Sequence, residues 1–407
     1  MSSAEHFARM QTEEIARVTG PSGVAQPPTR RRVIAVVASL TASLTIFRLE
    51  LLKRLVGAGH EVIAFAPEQD PRVEQALTEI GVRFIRIPMV RTGLNPLEDI
   101  RTFWSLRRHF KRLKPDMVLP YTMKPIIYAG IAARTLGIRE QCFLVTGLGH
   151  IFSETGGRSF KALAIRHLCV RLYRLAFKRA RVVFVYNDAD AEDIRRYRML
   201  PDALTPTMVP GSGVDLEHFA FARAAPGGPV FLMVARLLRD KGVVEYVEAA
   251  RIVRRIFPDA RFQLLGHFDS NPTAISRQEI NGWVGEGILE YLGTTDDVRP
   301  YLAACNVFVL PSYYREGIPR SILEALAVGR PVITTDLPGC RDTVQPGVNG
   351  MTVKPLDVAA LADAMTSFAR DPDLAEKMGR RSRELAESRF DVHMINRILF
   401  AGMGLAV

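Results

Sequence analysis

Short, wholly apolar strands alternate with helix-period segments along this chain, and partway through the whole alternation starts again. From Arg32, "VIAVVAS" reads as a buried strand, "FRLELLKRLVGAG" as a helix ending at glycine, and "HEVIAFAP" as the next strand. "VRFIRIP", "DMVLPYT", "CFLVTG" and "VVFVYN" continue the strands, with "EDIRTFWSLRRHFKRLKP" and "KPIIYAGIAARTLGI" as helices between them. The pattern restarts at Pro229 with the strand "PVFLMVARL" and the helix "VEYVEAARIVRRIFP". It then passes through the strands "ARFQLLG", "VFVLPS" and "PVITTD" to the closing helices "DVAALADAMTSFARD" and "AEKMGRRSRELAESRF". Strands without polar alternation, each followed by a helix, call for a parallel sheet covered on both faces. Two such series predict an α/β protein of two Rossmann-like, doubly wound domains facing a central cleft. Ligands bind such sheets beyond the carboxyl ends of the strands.

Glycine and proline crowd "VPGSGVDLEHFAFARAAPGGP", which marks the hinge. The predicted division is a polar tail over 1–29, a first domain over 30–212 and a second over 213–390. A helical segment over 391–407 closes the chain, its return to the first domain left open. A length of 407 residues is too great for one ordinary core, and 48% apolar with 24% charged residues is a soluble globular composition. "RRRVIAVVASLTASLTIF" has the order of a signal peptide's charged and apolar regions. It begins only at Arg30, however, and threonine and serine interrupt it, so a buried first strand is predicted. No segment supplies the ~20 uninterrupted apolar residues of a membrane span. Cys142, Cys169, Cys305 and Cys340 are scattered, with no C-x-x-C pair and no histidine at zinc spacing, which predicts free thiols and no metal site.

The formal charge of +11 is uneven: residues 1–200 hold 32 Lys and Arg against 18 Asp and Glu, about +14, whereas the rest is about −3. A basic half predicts an anionic partner: a phospholipid surface, a diphosphate or a nucleic acid. No zinc finger or RNP-like aromatic motif accompanies the charge, so nucleic acid is the poorest of the three.

In the second half, "VARLLRDKG" places Arg236 and Lys241 in the loop after a strand. Such a pair suits a diphosphate, because arginine donates as a fork and lysine adds a compact charge; two solvated surface charges would look the same. Glu316 stands at the matching strand end after "VFVLPSYYR", and "GIPR" then opens a helix whose first-turn amides can bind an anion. Glu324 falls two turns into that helix within the apolar stretch "SILEALAVG". A glutamate there is either on the solvent side, or paired, or an acceptor for ligand hydroxyls such as a ribose diol.

"VARLLRDKG", "GTTDDVRPYLAACNVFVLPSYYREGIPRSILEALAVGRPVITTD" and "GVNGMTVKP" resemble the donor domain of the retaining family-four glycosyltransferases, which have the GT-B fold. "VPGSGVDLEHF" resembles their interdomain segment, and the likeness runs from about Arg32 to near the end. "YTMKPIIYAGIAARTLGI" and "VTGLGHIF" resemble the branch that extends lipid-linked sugars for bacterial surface glycans or protein glycosylation. The resemblance implies a nucleotide-sugar donor, UDP-linked before GDP-linked, no metal and no cofactor. It gives Arg236 and Lys241 to the diphosphate, Glu316 to the transferred sugar, Glu324 to the ribose, and the amides around Gly317 and Ile318 to the sugar phosphate. It further implies retention by front-side attack, the leaving diphosphate helping to take the acceptor proton. Many relatives carry a histidine where this chain has Thr146, and His150 is the candidate replacement. "SLTASLTIFRL" is expected to meet the donor phosphates and acceptor from the first domain, with Thr41 and Arg48 as its candidates.

Between Arg158 and Arg181 lie eight Lys and Arg and no acid, with Phe160, Leu163, Leu168, Leu172 and Leu175 at helical spacing. Part of that apolar face is expected to pack on the sheet. The basic face, with Arg171, Arg174, Lys178 and Arg179, is expected to rest on anionic headgroups. The combined expectation is a peripheral enzyme on the inner face of the cell membrane, moving a hexose or N-acetylhexosamine to a polyprenyl-diphosphate-linked saccharide. A soluble transferase with a non-lipid acceptor and a GT-B nucleotide-sugar 2-epimerase are the alternatives.

Overall fold

The computed structural model describes residues 30–91, 95–149, 152, 160–223, 227–269 and 271–406; the predicted tail and His150 lie outside them. The first sheet is formed by β1 (Val33–Val37), β2 (Glu61–Ala66), β3 (Arg83–Arg86), β4 (Met117–Pro120), β5 (Glu140–Val145), β6 (Ala180–Val185) and β7 (Thr207–Met208). All neighbours are parallel, in the order β3-β2-β1-β4-β5-β6-β7. The second sheet holds β8 (Val230–Val234), β9 (Arg261–Leu265), β10 (Glu290–Tyr291), β11 (Val307–Leu310), β12 (Val332–Thr335) and β13 (Gly350–Val353), again all parallel, in the order β10-β9-β8-β11-β12-β13. Strand order reverses between β1 and β4 and between β8 and β11, so each sheet opens a crevice at those strand ends.

Alternate residues of each strand enter opposite layers. Ile34 and Val36 pack with Leu51, Leu52 and Leu55, while Ala35 and Val37 pack with Leu106, Phe110 and Ala129 on the other side. On that second side the helices Pro96–Leu113, Met123–Thr135 and Phe160–Phe177 lie next to one another in that order. Several elements go beyond the sequence reading. Helix Pro71–Glu79 is capped by Asp70 and started by a proline, helix Asp188–Arg196 is capped by Asn187, and helix Arg277–Gly285 carries a Ser276/Glu279 capping box. The helix predicted over 375–390 runs from Pro372 to Leu385 and ends in a π turn over Ala386–Phe390, and the closing helical segment is the separate helix Val392–Met403.

Two crossings join the halves. The Val214 amide donates to the Phe390 carbonyl (2.8 Å) and Val392 to Val214 (3.0 Å), so the hinge and the returning chain lie side by side. Gly213, at φ +72°, permits this, since a Cβ there would lie 2.7 Å from Val392 Cα. Helix Val392–Met403 then packs on helix Leu49–Gly57 and on β6, with Arg54 over the Phe400 ring at 4.9 Å. All four cysteines are buried free thiols.

Candidate active site

The loops after β8 and β11 are stitched together. Amides of Tyr313 and Tyr314 donate to the Asp240 carbonyl at 2.9 and 3.0 Å. Gly242, at φ +80°, lies so close to the Pro311 carbonyl that a Cβ would come within 2.2 Å of its oxygen. This contact brings Lys241 to Glu316: their side chains form an ion pair, and Ser312 Oγ donates to the same carboxylate oxygen at 3.0 Å. Arg236 Nη1 donates to Asp269 Oδ2 at 3.0 Å. Helix Arg320–Val328 begins after Pro319 with no side chain capping its first amides. Such a start is electropositive and unsatisfied, hence receptive to a phosphate oxygen.

Glu324 does not face bulk solvent. Its side chain is 13% exposed, lines the cleft and accepts from Arg320 Nε at 2.9 Å, one helical turn back. Burial pushes its carboxyl above the ordinary carboxylate value, while Arg320 pulls in the opposite sense. Arg320 is held in turn by the Gly213 carbonyl and lies over the Phe219 ring.

Gly317 is a glycine for reasons of space. A Cβ there would fall 2.1 Å from the Thr146 carbonyl oxygen of the first domain. The loop bearing Glu316 is thus pressed against the first domain, and side chains latch it there. Arg315 donates to Asp190 Oδ1 at 3.0 Å, to Asp193 Oδ2 and to the Phe152 carbonyl, and Asn187 Nδ2 donates to the Gly317 carbonyl at 3.2 Å. Asp190 is fully buried, which raises its carboxyl pKa, with Arg315 working against the shift. None of Arg315, Asn187, Asp190 and Asp193 was singled out by sequence reasoning; the signals available were the place of Asn187 and Asp190 just past the end of β6 and of Arg315 directly before Glu316.

A single cleft of about 780 Å³ between the domains gathers Arg236, Lys241, Glu316, Gly317, Ile318, Glu324, Thr146 and Arg48. Arg91, from the loop after β3, lines it as well and was not anticipated. Thr41 is a correction. It is buried outside the cleft lining, and its hydroxyl and amide are taken up by the Glu68 carboxylate at 2.7 Å each. Its position near the switch point is right, but it folds the β1 loop onto the β2 loop and leaves no hydrogen for a ligand.

The helix Phe160–Phe177 meets its expectation only in part: of the predicted apolar face, Leu172 is half-buried against the core. Phe160, Leu163, Leu168 and Leu175 of the predicted packing face are exposed, and the buried stripe is Cys169, Val170, Tyr173, Ala176 and Phe177. The helix has apolar residues on more than one side, and the aromatics that meet Phe143 and Phe152 edge to face win the interior. Arg171, Lys178 and Arg179 are exposed, whereas the Arg174 guanidinium is committed to the carbonyls of Tyr197 (2.6 Å) and Arg198 (3.0 Å).

Known proteins resemble this chain along most of its length. A model of the glycosyl transferases group 1 matches residues 228–371, and a glycosyl transferase 4-like domain matches residues 45–211. The chain belongs to the glycosyltransferases. A relative of this glycosyltransferase, N,N'-diacetylbacillosaminyl-diphospho-undecaprenol alpha-1,3-N-acetylgalactosaminyltransferase of Campylobacter jejuni, is 28% identical over 86% of this chain and 93% of its own length. The UDP-Gal:alpha-D-GlcNAc-diphosphoundecaprenol alpha-1,3-galactosyltransferase of Escherichia coli is 27% identical over 72% of this chain and 76% of its own. Among solved structures, the sucrose-phosphate synthase of Thermosynechococcus elongatus superposes with a TM-score of 0.71 at 21% identity, covering 90% of this chain and 96% of that one. Anabaena HepE in complex with UDP gives 0.70 at 17% identity, covering 90% and 97%. The enzyme has the GT-B fold.

Proposed function

We propose that the enzyme transfers a hexosyl or N-acetylhexosaminyl group from a UDP-sugar to a saccharide carried on a polyprenyl diphosphate, with retention of configuration and without a metal. One observation carries this reading. Two cations and an uncapped helix start, which suit a diphosphate, share a cleft with two shielded carboxylates, which suit hydroxyls. Arg236, Lys241 and the amides of the uncapped helix start supply positive charge on the side of the cleft where a diphosphate would lie. Both relatives are named for a diphospho-undecaprenol-linked acceptor, which supports the acceptor class.

Lys241 and Arg236 bind the donor diphosphate, Glu316 accepts from hydroxyls of the transferred sugar, and Glu324 accepts from the ribose. As the bond from C1 to the phosphate oxygen breaks, negative charge grows on that oxygen and the two cations offset it. The acceptor hydroxyl approaches C1 on the same face and forms the new C1–O bond, and its proton passes to the leaving diphosphate.

A polyprenyl acceptor stays partly in the bilayer, which calls for a peripheral membrane face beside the cleft. Among the described residues no helix is long and apolar enough to cross a membrane. Helices that follow parallel strands begin at the carboxyl edge, which is the cleft side. There, Leu97 (73% exposed), Ile100 and Trp104 (57%) form one stripe, and Phe160 (88%) and Leu163 begin the other outer helix. Arg101 and Arg108 are exposed beside them, and Arg107 lies over the Trp104 ring at 5.5 Å. Aromatics and arginines together suit a headgroup boundary. This moves the proposed contact toward the helix starts, away from Lys178 and Arg179 at the far end.

The test is turnover of UDP- and GDP-sugars by the purified enzyme with and without a membrane lipid fraction, the product anomer being read by NMR. Lipid-dependent release of UDP with a retained anomer is expected. Equal turnover of water-soluble glycosides, or an inverted product, would overturn the reading. Glu316→Ala is expected to act on kcat far more than on KM, since its contacts orient the reacting sugar.

A further inference from the structure

Two adjacent side chains on the loop after β11 are held by different domains. Glu316 pairs with Lys241 of the second domain and lines the cleft. Arg315, the residue before it, is anchored in the first domain, its side chain only 12% exposed. Its Nη2 donates to Asp190 Oδ1 at 3.0 Å, and its Nη1 to Asp193 and to the Phe152 carbonyl at 2.9 Å. The same Asp190 oxygen accepts from the Leu148 amide at 3.3 Å, and Asn187 Nδ2 donates to the other oxygen at 3.0 Å. Leu148 belongs to the loop after β5, which carries Thr146 to the cleft, and a Cβ on Gly147 of that loop would lie 3.1 Å from the Gly317 amide. One fully buried carboxylate thus ties the loop that bears Glu316 to the first-domain loop facing it.

Stability alone does not account for this arrangement. Taking two charges out of water costs about as much as their attraction returns, and an apolar pair of similar size often holds a fold as well. What the pair does supply is direction, because a planar fork bound at both ends fixes its own orientation. Arg315 and Asp190 sit one layer behind the lining of the cleft, so neither is placed to touch a bound ligand. Any effect on the reaction passes through Glu316, whose Cα is only ~3.8 Å from that of Arg315. We infer that Arg315 is a positioning residue: locked to Asp190, it sets the Glu316 carboxylate, and the sugar that carboxylate holds, in register with the first-domain wall of the cleft. This rests on the transferase reading above. A misplacement of about 1 Å between reacting groups costs roughly 10²-fold in rate.

The test is steady-state transfer from UDP-galactose or UDP-N-acetylgalactosamine, with the membrane lipid fraction as acceptor, alongside UDP calorimetry and Tm. For Arg315→Met, kcat is expected to fall roughly 10²-fold while donor KM and UDP affinity stay within about threefold. Arg315→Lys restores the charge without the fork and is expected to recover only part of kcat. Adding Asp190→Asn to Arg315→Met removes both buried charges, so Tm is expected to rise above that of the single variant while kcat stays low. Recovery of kcat together with Tm in the double variant would mean that the pair merely holds the fold, and would overturn the inference. Wild-type kcat in Arg315→Met, or a loss of UDP affinity as large as the loss of kcat, would overturn it too. Should Arg315→Met not fold, Asp190→Asn alone keeps an oxygen for the Leu148 amide and is expected to lose roughly tenfold in kcat with unchanged UDP affinity; wild-type kcat there counts equally against the inference. Absence of UDP-sugar turnover by the wild type would instead overturn the transferase reading itself.

Discussion

Glu324→Ala tests the division of labour between the two glutamates most directly. The carboxylate is 13% exposed and already holds Arg320, so its remaining lone pairs face the cleft. Hydrogen bonds to a charged group are worth about 1.5–3 kcal/mol each. Loss of the ribose contacts is then expected to weaken UDP binding roughly 10- to 150-fold. Arg320 keeps the Gly213 carbonyl and the Phe219 ring, so the fold is expected to lose no more than a few degrees in Tm. The assay is a cycle of two proteins and two ligands, UDP and 2′,3′-dideoxy-UDP, by calorimetry. Dideoxy-UDP is expected to bind the wild type about as weakly as UDP binds the variant, with little further loss when both changes are combined. Equal weakening of UDP and dideoxy-UDP by Glu324→Ala would refute the ribose assignment. There is also a pH signature. Burial holds the folded carboxyl above its unfolded value, so on acidification the native state takes up this proton first. Between the ordinary and the raised value, the penalty this group places on stability fades as pH falls, and UDP affinity is expected to fall with it. Glu324→Gln is expected to abolish that pH dependence.

Arg236→Ala and Lys241→Ala are each expected to lose roughly 10²–10³ in kcat with intact folding, and EDTA to leave activity unchanged; a strict divalent-metal requirement would refute the cation assignment. Gly317→Ala places a Cβ 2.1 Å from the Thr146 carbonyl oxygen, so the loop must retreat from the first domain, and turnover is expected to fall roughly 10²-fold. Unchanged kinetics would show that the domains need not meet there. Trp104→Ser with Phe160→Ser is expected to weaken binding to anionic vesicles even at high salt. Glutamates at Arg171, Lys178 and Arg179 are expected to remove only a salt-sensitive part, each charge being worth ~1 kcal/mol near such a surface. A larger loss from the charge changes, with none from the aromatics, would put the membrane face at the far end of the helix.

Much of this molecule is legible in its sequence because the rules that form it are local. Uniformly apolar strands followed by helices require buried parallel sheets, and a parallel sheet leaves its loops, and so Arg236, Lys241 and Glu316, at one edge. The Arg320–Glu324 pair is also local, one helical turn apart in "RSILE", and was open to the same reading. Other features required the tertiary structure. Periodicity on helix Phe160–Phe177 could not say which apolar side turns inward, since Tyr173 and Phe177 win only against Phe143 and Phe152, which come from elsewhere in the chain. Thr41 was placed at the right edge but given the wrong task, because its partner Glu68 arrives on the neighbouring strand's loop. Arg48 meets Tyr121 and Tyr186, and Arg315 meets Asp190 and Asp193, only because the crossovers carry distant residues to the same cleft. Sequence periodicity reports which faces are apolar and where each strand ends. Which buried charge finds a partner, and which is left for a ligand, depends on contacts between segments that no local rule relates.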